Sequence, residues 1–304
     1  MSEIIHIKNI SKLHDMMGLE KPKHPLITVI DFSKTTPPKV TDNVKVISSF
    51  YSIMMKSGNC GNLRYGRKNY DFQEGALLCM APDQVLTVEN MDDDSQKEVS
   101  GIGLYFHSDL IRKSNLMKKM KDYSFFSYEA NEALHLSDAE KNNLLSIIDR
   151  IQEEYSANLD TYSNDVIISN IELLLNYCNR YYGRQFITRS SHNKDILSKL
   201  EELLSAYFDT DMAHIEGIPT VKYCAEKLNF SPNYLSDLVK KESGKSVQEH
   251  IHFHLIEKAK TELVNTELTI SEIADKLGFE YPQYFSKIFK SKTGYSPVKY
   301  RSLN

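Results

Sequence analysis

Long hydrophobic runs are missing from this sequence of 304 residues. The longest apolar stretches, such as the one from Ala76 to Ala81, are far shorter than the ~20 residues that cross a membrane as a helix. The first residues, Met1 to Asn9, lack the basic region and apolar core of a secretory signal. These absences predict a protein that stays in the cytoplasm and does not use a membrane as partner.

Cysteine is scarce, and the four cysteines form no Cys-x-x-Cys pair. They are Cys60, Cys79, Cys178 and Cys224. Such wide spacing argues against a zinc or disulfide framework and favours reduced, mostly buried thiols. We therefore predict no metal and no cofactor.

An overall excess of basic residues is also absent, since the net charge is −4. The segment from Pro219 to Asn304 has 13 Lys and Arg against 10 Asp and Glu, a balance of +3 that leaves −7 for the remainder. Phosphate binding requires Lys and Arg, so this distribution permits a nucleic-acid partner at the C-terminal end without demonstrating one.

What the sequence does contain is an internal repeat near its C-terminal end, and its length allows two domains. The segment from Val221 to Phe230 recurs as Ile270 to Phe279, 49 residues later. After one extra residue the match resumes at an offset of 50 and runs from Pro232/Pro282 through Gly244/Gly294 to Ser246/Ser296. Chance similarity would not preserve this order of apolar, small and glycine positions.

Each copy has the pattern of two helices separated by a short turn. In the first copy the apolar residues at helical spacing are Val221, Ala225 and Leu228, then Leu235, Leu238 and Val239. Ser231 is a predicted N-cap before Pro232, whereas Tyr281-Pro282 repeats the proline without the cap. Gly244 and Gly294 suit the left-handed stop of each second helix.

The segment between the copies, Val247 to Val264, predicts a helix ~27 Å long. Such a helix would hold the two second helices about one DNA turn, ~34 Å, apart, as successive major grooves require. The alternative is a two-copy structural scaffold, but solenoids usually need three or more repeats.

The second copy resembles the signature of the AraC/XylS-type bacterial transcriptional regulators. The resemblance rests on Ile270 to Phe279, Tyr284 to Lys290, Gly294, and the run Ser296-Pro297-x-x-Tyr300-Arg301. The first copy is similar from Ser231 to Lys241, with Gly244. The motifs are specific over residues 193–304 and much less distinctive upstream. The resemblance implies a DNA-binding regulator and no enzyme; because this family mostly recruits RNA polymerase, we expect an activator.

The exposed faces of the second helices, at about residues 232–242 and 282–291, provide the candidate contacts to double-stranded DNA. The resemblance implies base contacts by Asn233, Ser236, Asp237, Gln283, Ser286 and Lys287. Asn and Gln pair with adenine, Lys with guanine and Asp with the cytosine amino group. We assign phosphate contacts to Ser231, Lys240, Lys241, Lys290, Lys292 and Arg301. Alternatively, Asp237 only neutralises nearby lysines, and each lysine is only a solvated surface charge.

Three histidines alternate on the connecting helix at His250, His252 and His254. Residues four apart share a helix face, so only two of the three converge. No third ligand is visible nearby, and we interpret the triplet as part of a solvent-facing helix.

The N-terminal part has short apolar runs broken by turn residues, which predicts a small antiparallel barrel or sandwich. The candidate strands are Leu26 to Phe32, Lys45 to Met55, Gly75 to Met80, Val85 to Val88 and Gly101 to Phe106. In regulators of this type the corresponding region is a cupin-like barrel. Metal-dependent cupin chemistry needs several His and Glu ligands, and from Pro25 to His107 the only histidine is His107.

A small-molecule effector would need a pocket, and aromatic residues at strand positions are candidates to line it: Tyr51, Tyr65, Tyr70 and Phe72. The alternative is that these rings simply fill the core.

Two amphipathic helices follow, at Ser137 to Ser156 and Ser163 to Tyr182, the first opening with the capping-box pattern Ser137-x-x-Glu140. One apolar stripe can cover the barrel and another can pair with a second subunit. The resemblance to the AraC/XylS-type regulators implies a homodimer through such helices.

The predicted fold class is therefore α+β and multidomain. A cupin-like antiparallel β-barrel with a helical dimerisation segment (1–182) is followed by a linker (183–193) and an all-α domain with two helix-turn-helix units (194–304). A regulatory interaction or repressor module with weak base readout is the second functional hypothesis.

Overall fold

The computed structural model describes residues 4–36, 44–57, 63–65, 68–70, 75–88, 100–129, 132–158, 160–188 and 190–303. The chain divides into two compact units, Met1–Ile187 and Thr188–Asn304. Each unit is described by itself below.

The first unit consists mainly of strands, followed by two long helices. Its strands are β1 (Ile4–Ile7), β2 (Ile27–Asp31), β3 (Val44–Ser48), β4 (Phe50–Ser57), β5 (Leu63–Tyr65), β6 (Lys68–Tyr70), β7 (Ala76–Met80), β8 (Val85–Val88), β9 (Ser100–His107) and β10 (Leu134–His135). Its helices are α1 (Ile10–Met16), α2 (Ser108–Ile111), α3 (Asn115–Lys119), α4 (Asp138–Ser156) and α5 (Ser163–Thr188).

The strands form two sheets instead of the predicted closed barrel. Within the described residues one sheet has the order β1-β3-β8-β5-β6 and the other β10-β7-β4-β9-β2, and β1 pairs parallel to β3. The segment Lys45 to Met55 was predicted as one strand, but it breaks at Ser49. Ile47 pairs with Val85 in the first sheet, whereas Ser52 pairs with Met80 in the second. The chain passes from one sheet to the other at this break, and the strands among the described residues form two separate sheets and not one closed ring.

The second sheet carries much of the core, since every residue of β7 is buried. Gly103 on β9 is required by close packing, because a Cβ atom there would lie 2.8 Å from the ring of Phe32. The amphipathic stripe of α4 is buried as predicted, and the Tyr155 hydroxyl accepts a hydrogen bond from the Val29 N–H at 3.0 Å. α4 therefore packs on the sheet through both apolar and polar contacts.

The helix α5 extends through most of the segment predicted as a linker. It ends at Thr188, and the next helix begins at Ser190. Gln185 and Phe186 are buried, and the Arg184 guanidinium binds the Glu140 carboxylate at 3.0 and 2.8 Å. These anchors outweigh the low helix propensity of Gly183, which costs only about 1 kcal/mol in a helix interior.

The thiols of Cys79, Cys178 and Cys224 are free and buried, as predicted. Cys60 lies outside the described residues. Among the described residues, no helix is both long and apolar enough to cross a membrane.

The second unit is helical throughout its described part. Its helices are α6 (Ser190–Asp209), α7 (Met212–Glu216), α8 (Val221–Leu228), α9 (Pro232–Ser243), α10 (Val247–Asn265), α11 (Ile270–Lys276), α12 (Pro282–Thr293) and α13 (Pro297–Leu303). Both predicted helix pairs and the connecting helix are present. The short α7 lies between α6 and the first helix pair.

Candidate nucleic-acid interface

The first helix pair, α8 and α9, is held together by small and aliphatic residues. Ala225, Leu235 and Leu238 are fully buried. The Ser231 hydroxyl accepts a hydrogen bond from the Tyr234 N–H at 3.2 Å, which is the predicted N-cap of α9. Gly244 ends α9 with φ +74°, so the predicted left-handed stop is also confirmed.

The second pair, α11 and α12, repeats this scaffold with a different beginning. Ala274, Phe285 and Phe289 are fully buried, and Gly294 ends α12 with φ +81°. Tyr281 precedes Pro282 and makes no side-chain cap hydrogen bond. α12 therefore lacks the polar cap of α9, as the sequence indicated.

In each pair, one residue of the turn between the helices has a left-handed backbone conformation, but only the second turn requires glycine there. Asn229 has φ +63° and Gly278 has φ +84° at aligned positions. A Cβ atom at Gly278 would overlap the Ala213 carbonyl oxygen and approach the Gly217 backbone within 3 Å. The second pair is thus packed against the α7 region at a point where no side chain fits.

The predicted base-contacting residues divide into two groups by exposure. Asn233, Gln283 and Lys287 are exposed, as a base contact requires. The others, Ser236, Asp237 and Ser286, are half-buried. The Ser236 hydroxyl donates to the Pro232 carbonyl at 2.6 Å, so its proton is used within the helix.

Several lysines of α9 and α12 are exposed candidates for phosphate contacts. Lys240, Lys241 and Lys290 are exposed, and no carboxylate in the described part of the chain lies within ion-pair distance of them. Other lysines of this unit already have partners, since Lys258 binds Asp209 at 3.0 Å and Lys276 binds Glu262 at 2.9 Å. α9 and α12 therefore each present exposed lysines that form no ion pair with the described residues.

Of the residues predicted to contact phosphates, two have other uses in the structure and a third lies close to α10. Ser231 is buried as the cap of α9. The Arg301 guanidinium donates to the carbonyls of Leu263 and Leu268, at 2.9 and 2.6 Å, and holds α13 to the end of α10 and the loop beyond it. Lys292 lies near α10, where its charge, after burial, lowers the pKa of His252. We leave these three out of the proposed phosphate contacts.

We predicted that the histidines of α10 face solvent, but they are buried or half-buried. His250 Nδ1 lies 2.6 Å from one oxygen of Glu201, and His254 Nε2 lies 2.5 Å from the other. His250 Nε2 also contacts the Ser243 hydroxyl at 2.9 Å. Burial raises the pKa of Glu201, but the hydrogen bonds from His254 and His250 outweigh it and lower that pKa overall. This cluster joins α10 to α6 and α9.

The other half of α10 is joined to the second helix pair by an ion pair. Glu262 is buried, and one of its oxygens binds Lys276 of α11. Its second oxygen has no hydrogen-bond partner in the described part of the chain. α10 is therefore held by polar contacts on both sides.

The predicted effector residues are only partly described. Tyr51 is half-buried and its ring packs on Phe106 and Phe126, with centroids 5.2 and 5.1 Å apart, so it belongs to an aromatic core cluster. The side chains of Tyr65 and Tyr70 lie outside the described part of the chain, as does the whole of Phe72.

Sequence reasoning missed Glu201 and the exposed tyrosines at the start of α12. Glu201 is 49 residues from His250, and no motif links them. Tyr284 aligns with Tyr234, yet Tyr284 is 59% exposed and Tyr234 only 5%. Only the packing around each helix distinguishes the two.

Comparison with known proteins identifies the second unit. A family model described as a helix-turn-helix domain matches residues 224–302, which span both helix pairs from Cys224 onwards. The C-terminal unit is an AraC/XylS-type helix-turn-helix domain. The predicted family is confirmed by this match and by the relatives below.

The relatives are regulators of the same kind. The chain is 31% identical over 108 residues to the uncharacterized HTH-type transcriptional regulator YtdP of Bacillus subtilis (strain 168), covering 36% of this chain and 13% of that protein. It is 27% identical over 279 residues to the uncharacterized HTH-type transcriptional regulator YfiF of the same strain, covering 84% and 77%. The AraC/XylS-type assignment therefore rests on the shared helix-turn-helix domain, while most of YtdP has no counterpart here.

Among solved structures, the chain is similar to the C-terminal domain of AraT, a response regulator from Geobacillus stearothermophilus. The identity is 35%, the match covers 36% of this chain and 85% of that one, and the TM-score is 0.32. The cupin-like character predicted for the N-terminal unit is not established by these similarities.

Proposed function

We propose that this chain is a sequence-specific DNA-binding transcriptional regulator that places α9 and α12 in successive major grooves. The observation that carries the proposal is a duplicated scaffold with unequal outer faces. Buried residues recur between the copies, whereas Asn233 and Gln283, Asp237 and Lys287 differ at aligned exposed or half-exposed positions. A surface that varies on a constant frame is what two separate base readers require.

Electrostatics support the same placement. Lys240 and Lys290 occupy equivalent positions on the two helices, and both are exposed. Phosphate contacts at equivalent positions would hold the two helices in the same orientation relative to the duplex. α10 comprises 19 residues, about 28 Å, which fits a spacing of one DNA turn.

We further propose that the regulator is an activator that contacts RNA polymerase, in keeping with the AraC/XylS-type domain. The second candidate, a repressor or interaction module with weak base readout, is favoured by one observation. Asp237 places a carboxylate on the outer face of α9, where phosphates would repel it.

A homodimer through α5 is part of the proposal. Val166 and Leu173 are each 40% exposed and lie seven residues apart, two helical turns along one face. Light scattering should give twice the 35.0 kDa chain mass, and Leu173→Glu should return the monomer mass. A mass of one chain across micromolar concentrations for the unaltered protein would contradict the dimer. We also propose that a small-molecule effector binds the N-terminal unit. Of the aromatic residues predicted to line its pocket, Tyr51 is the one whose side chain is described.

Selection from random double-stranded DNA with the purified full chain tests the main proposal. We expect an enriched motif with two half-sites about 10 bp apart. Failure to enrich any motif, together with binding that does not depend on sequence, would favour the second candidate.

A further inference from the structure

The N-terminal ends of α9 and α12 differ in exposure at two aligned positions. In α9 these positions are Ser231 and Tyr234, which are 3% and 5% exposed, and Tyr234 stacks on Phe230 with centroids 5.4 Å apart. In α12 they are Tyr281 and Tyr284, which are 47% and 59% exposed. The second helix thus begins with two aromatic rings in solvent.

The packing of each helix explains the difference. α6 packs against α9, whereas α12 packs against α11 and α13. Tyr234 is buried in its surroundings, whereas Tyr281 and Tyr284 of α12 lie in solvent. The rings of Tyr281 and Tyr284 meet edge to face, with centroids 5.9 Å apart and planes at 79°. Each restricts the other, so the pair presents a defined apolar surface.

This surface lies among the groups already proposed to read DNA. Tyr284 directly follows Gln283 and precedes Lys287 by three residues, so these side chains share the outward side of α12. The first turn of a recognition helix is the part that meets base edges in the major groove. Hydrogen bonds with bases would explain why the Gln283 amide and the Lys287 ammonium group are exposed there. They would not explain the exposure of the two tyrosine rings.

The thymine 5-methyl is the apolar group that a base presents in the major groove. We propose that Tyr284, braced by Tyr281, packs on the 5-methyl group of a thymine in the half-site read by α12. The proposal rests on the proposed function. DNA is the occupant because Lys287 and Lys290, both exposed and on the same helix, make the surroundings cationic. A protein partner for the rings is one outcome of the test.

The test replaces each thymine of the selected operator, one at a time, by uracil, which pairs identically but lacks the methyl group. With the unaltered chain, one substitution in the α12 half-site should weaken binding about fourfold, the effect of exposing one methyl-sized group. Tyr284→Ala should cause a similar loss on the thymine operator and no further loss on the uracil operator. Tyr284→Phe should keep the sensitivity.

Tyr295→Ala is the matched control, because Tyr295 is 43% exposed in the same unit but lies beyond the end of α12. It should leave both affinity and methyl sensitivity unchanged. Tight operator binding with no methyl effect at any thymine would overturn this inference and leave the proposed function intact. So would methyl sensitivity that persists in Tyr284→Ala, or unchanged DNA affinity with loss of transcription, which would indicate a protein partner. Absence of any selected operator would contradict the proposed function itself.

Discussion

The two helix-turn-helix pairs share a frame and differ in what they present. Ala225 and Ala274, and Leu235 and Phe285, are fully buried in both copies. On the outside, the first pair offers a capped polar helix, and the second offers Lys287 and two exposed tyrosines. Packing constrains the inside residues of both copies alike, whereas the outer residues are free to diverge. The second pair has the more conventional reading surface, so we expect it to contribute at least as much affinity as the first.

The largest expected effect comes from exchanging the residues of the two turns. Gly278→Asn introduces a Cβ atom where the Ala213 carbonyl lies, and should destabilise the second pair by about 3 kcal/mol. The reverse exchange, Asn229→Gly, should change stability by less than about 0.5 kcal/mol, because glycine adopts the same φ freely. Hydrogen exchange of the α8 and α11 amides in the full chain measures both. Equal losses would show that the two turns are not different.

The base-reading residues give the next effect. Lys287→Ala should weaken binding to the selected operator by about 1–3 kcal/mol, since it removes a proposed base contact from the more exposed surface. Asn233→Ala should cost no more. Titration of both variants on one operator by fluorescence anisotropy decides the ranking. A much larger loss from Asn233→Ala would reverse it.

The contacts between α10 and α6 provide a smaller effect. Glu201→Gln weakens the hydrogen bonds to His250 and His254 and should destabilise α6 and α10 by about 1 kcal/mol, allowing for solvent screening. Glu202→Gln, an exposed neighbour, is the matched control and should have no effect.

The same cluster implies a pH dependence. Because the pKa of Glu201 is lowered in the folded state, its contribution is present above the unfolded value of 4.5 and is lost as the pH falls through the folded pKa. Glu201→Gln should remove that part of the acid sensitivity. An unchanged acid unfolding profile would contradict this role.

The smallest effect separates phosphate contacts from internal ones. Lys290→Ala should weaken binding to all sequences alike and reduce the slope of log K against log salt by about 1. Lys292→Ala should leave the slope unchanged, because Lys292 lies near Glu249 and His252 of α10. Equal slope changes in the two variants would show that Lys292 also faces DNA.

The sequence was sufficient for the helix pairs because their signals are local. Pro232, Gly244 and Gly294 sit at helix ends, and backbone geometry restricts which residues tolerate those positions. The bend at Ser49 and the continuation of α5 beyond Gly183 were not predictable, because both depend on partners distant in the chain. Pairing of β4 with β7 and β9 and the Arg184–Glu140 ion pair decide them.

The outer faces show the same division. Helical periodicity placed Asn233, Gln283 and Lys287 outside correctly, since burial of the apolar stripe leaves them no other direction. It could not tell that Tyr284 is exposed while Tyr234 is buried, because that difference depends on the tertiary packing around each helix.

The central claim is that the two unequal helix pairs of the C-terminal unit read two separate half-sites. Repeating the DNA selection with Lys287→Ala in place of the unaltered chain tests it most directly. We predict that one half-site becomes degenerate while the other, about 10 bp away, keeps its sequence. A motif that changes in both half-sites together, or in neither, would contradict the account.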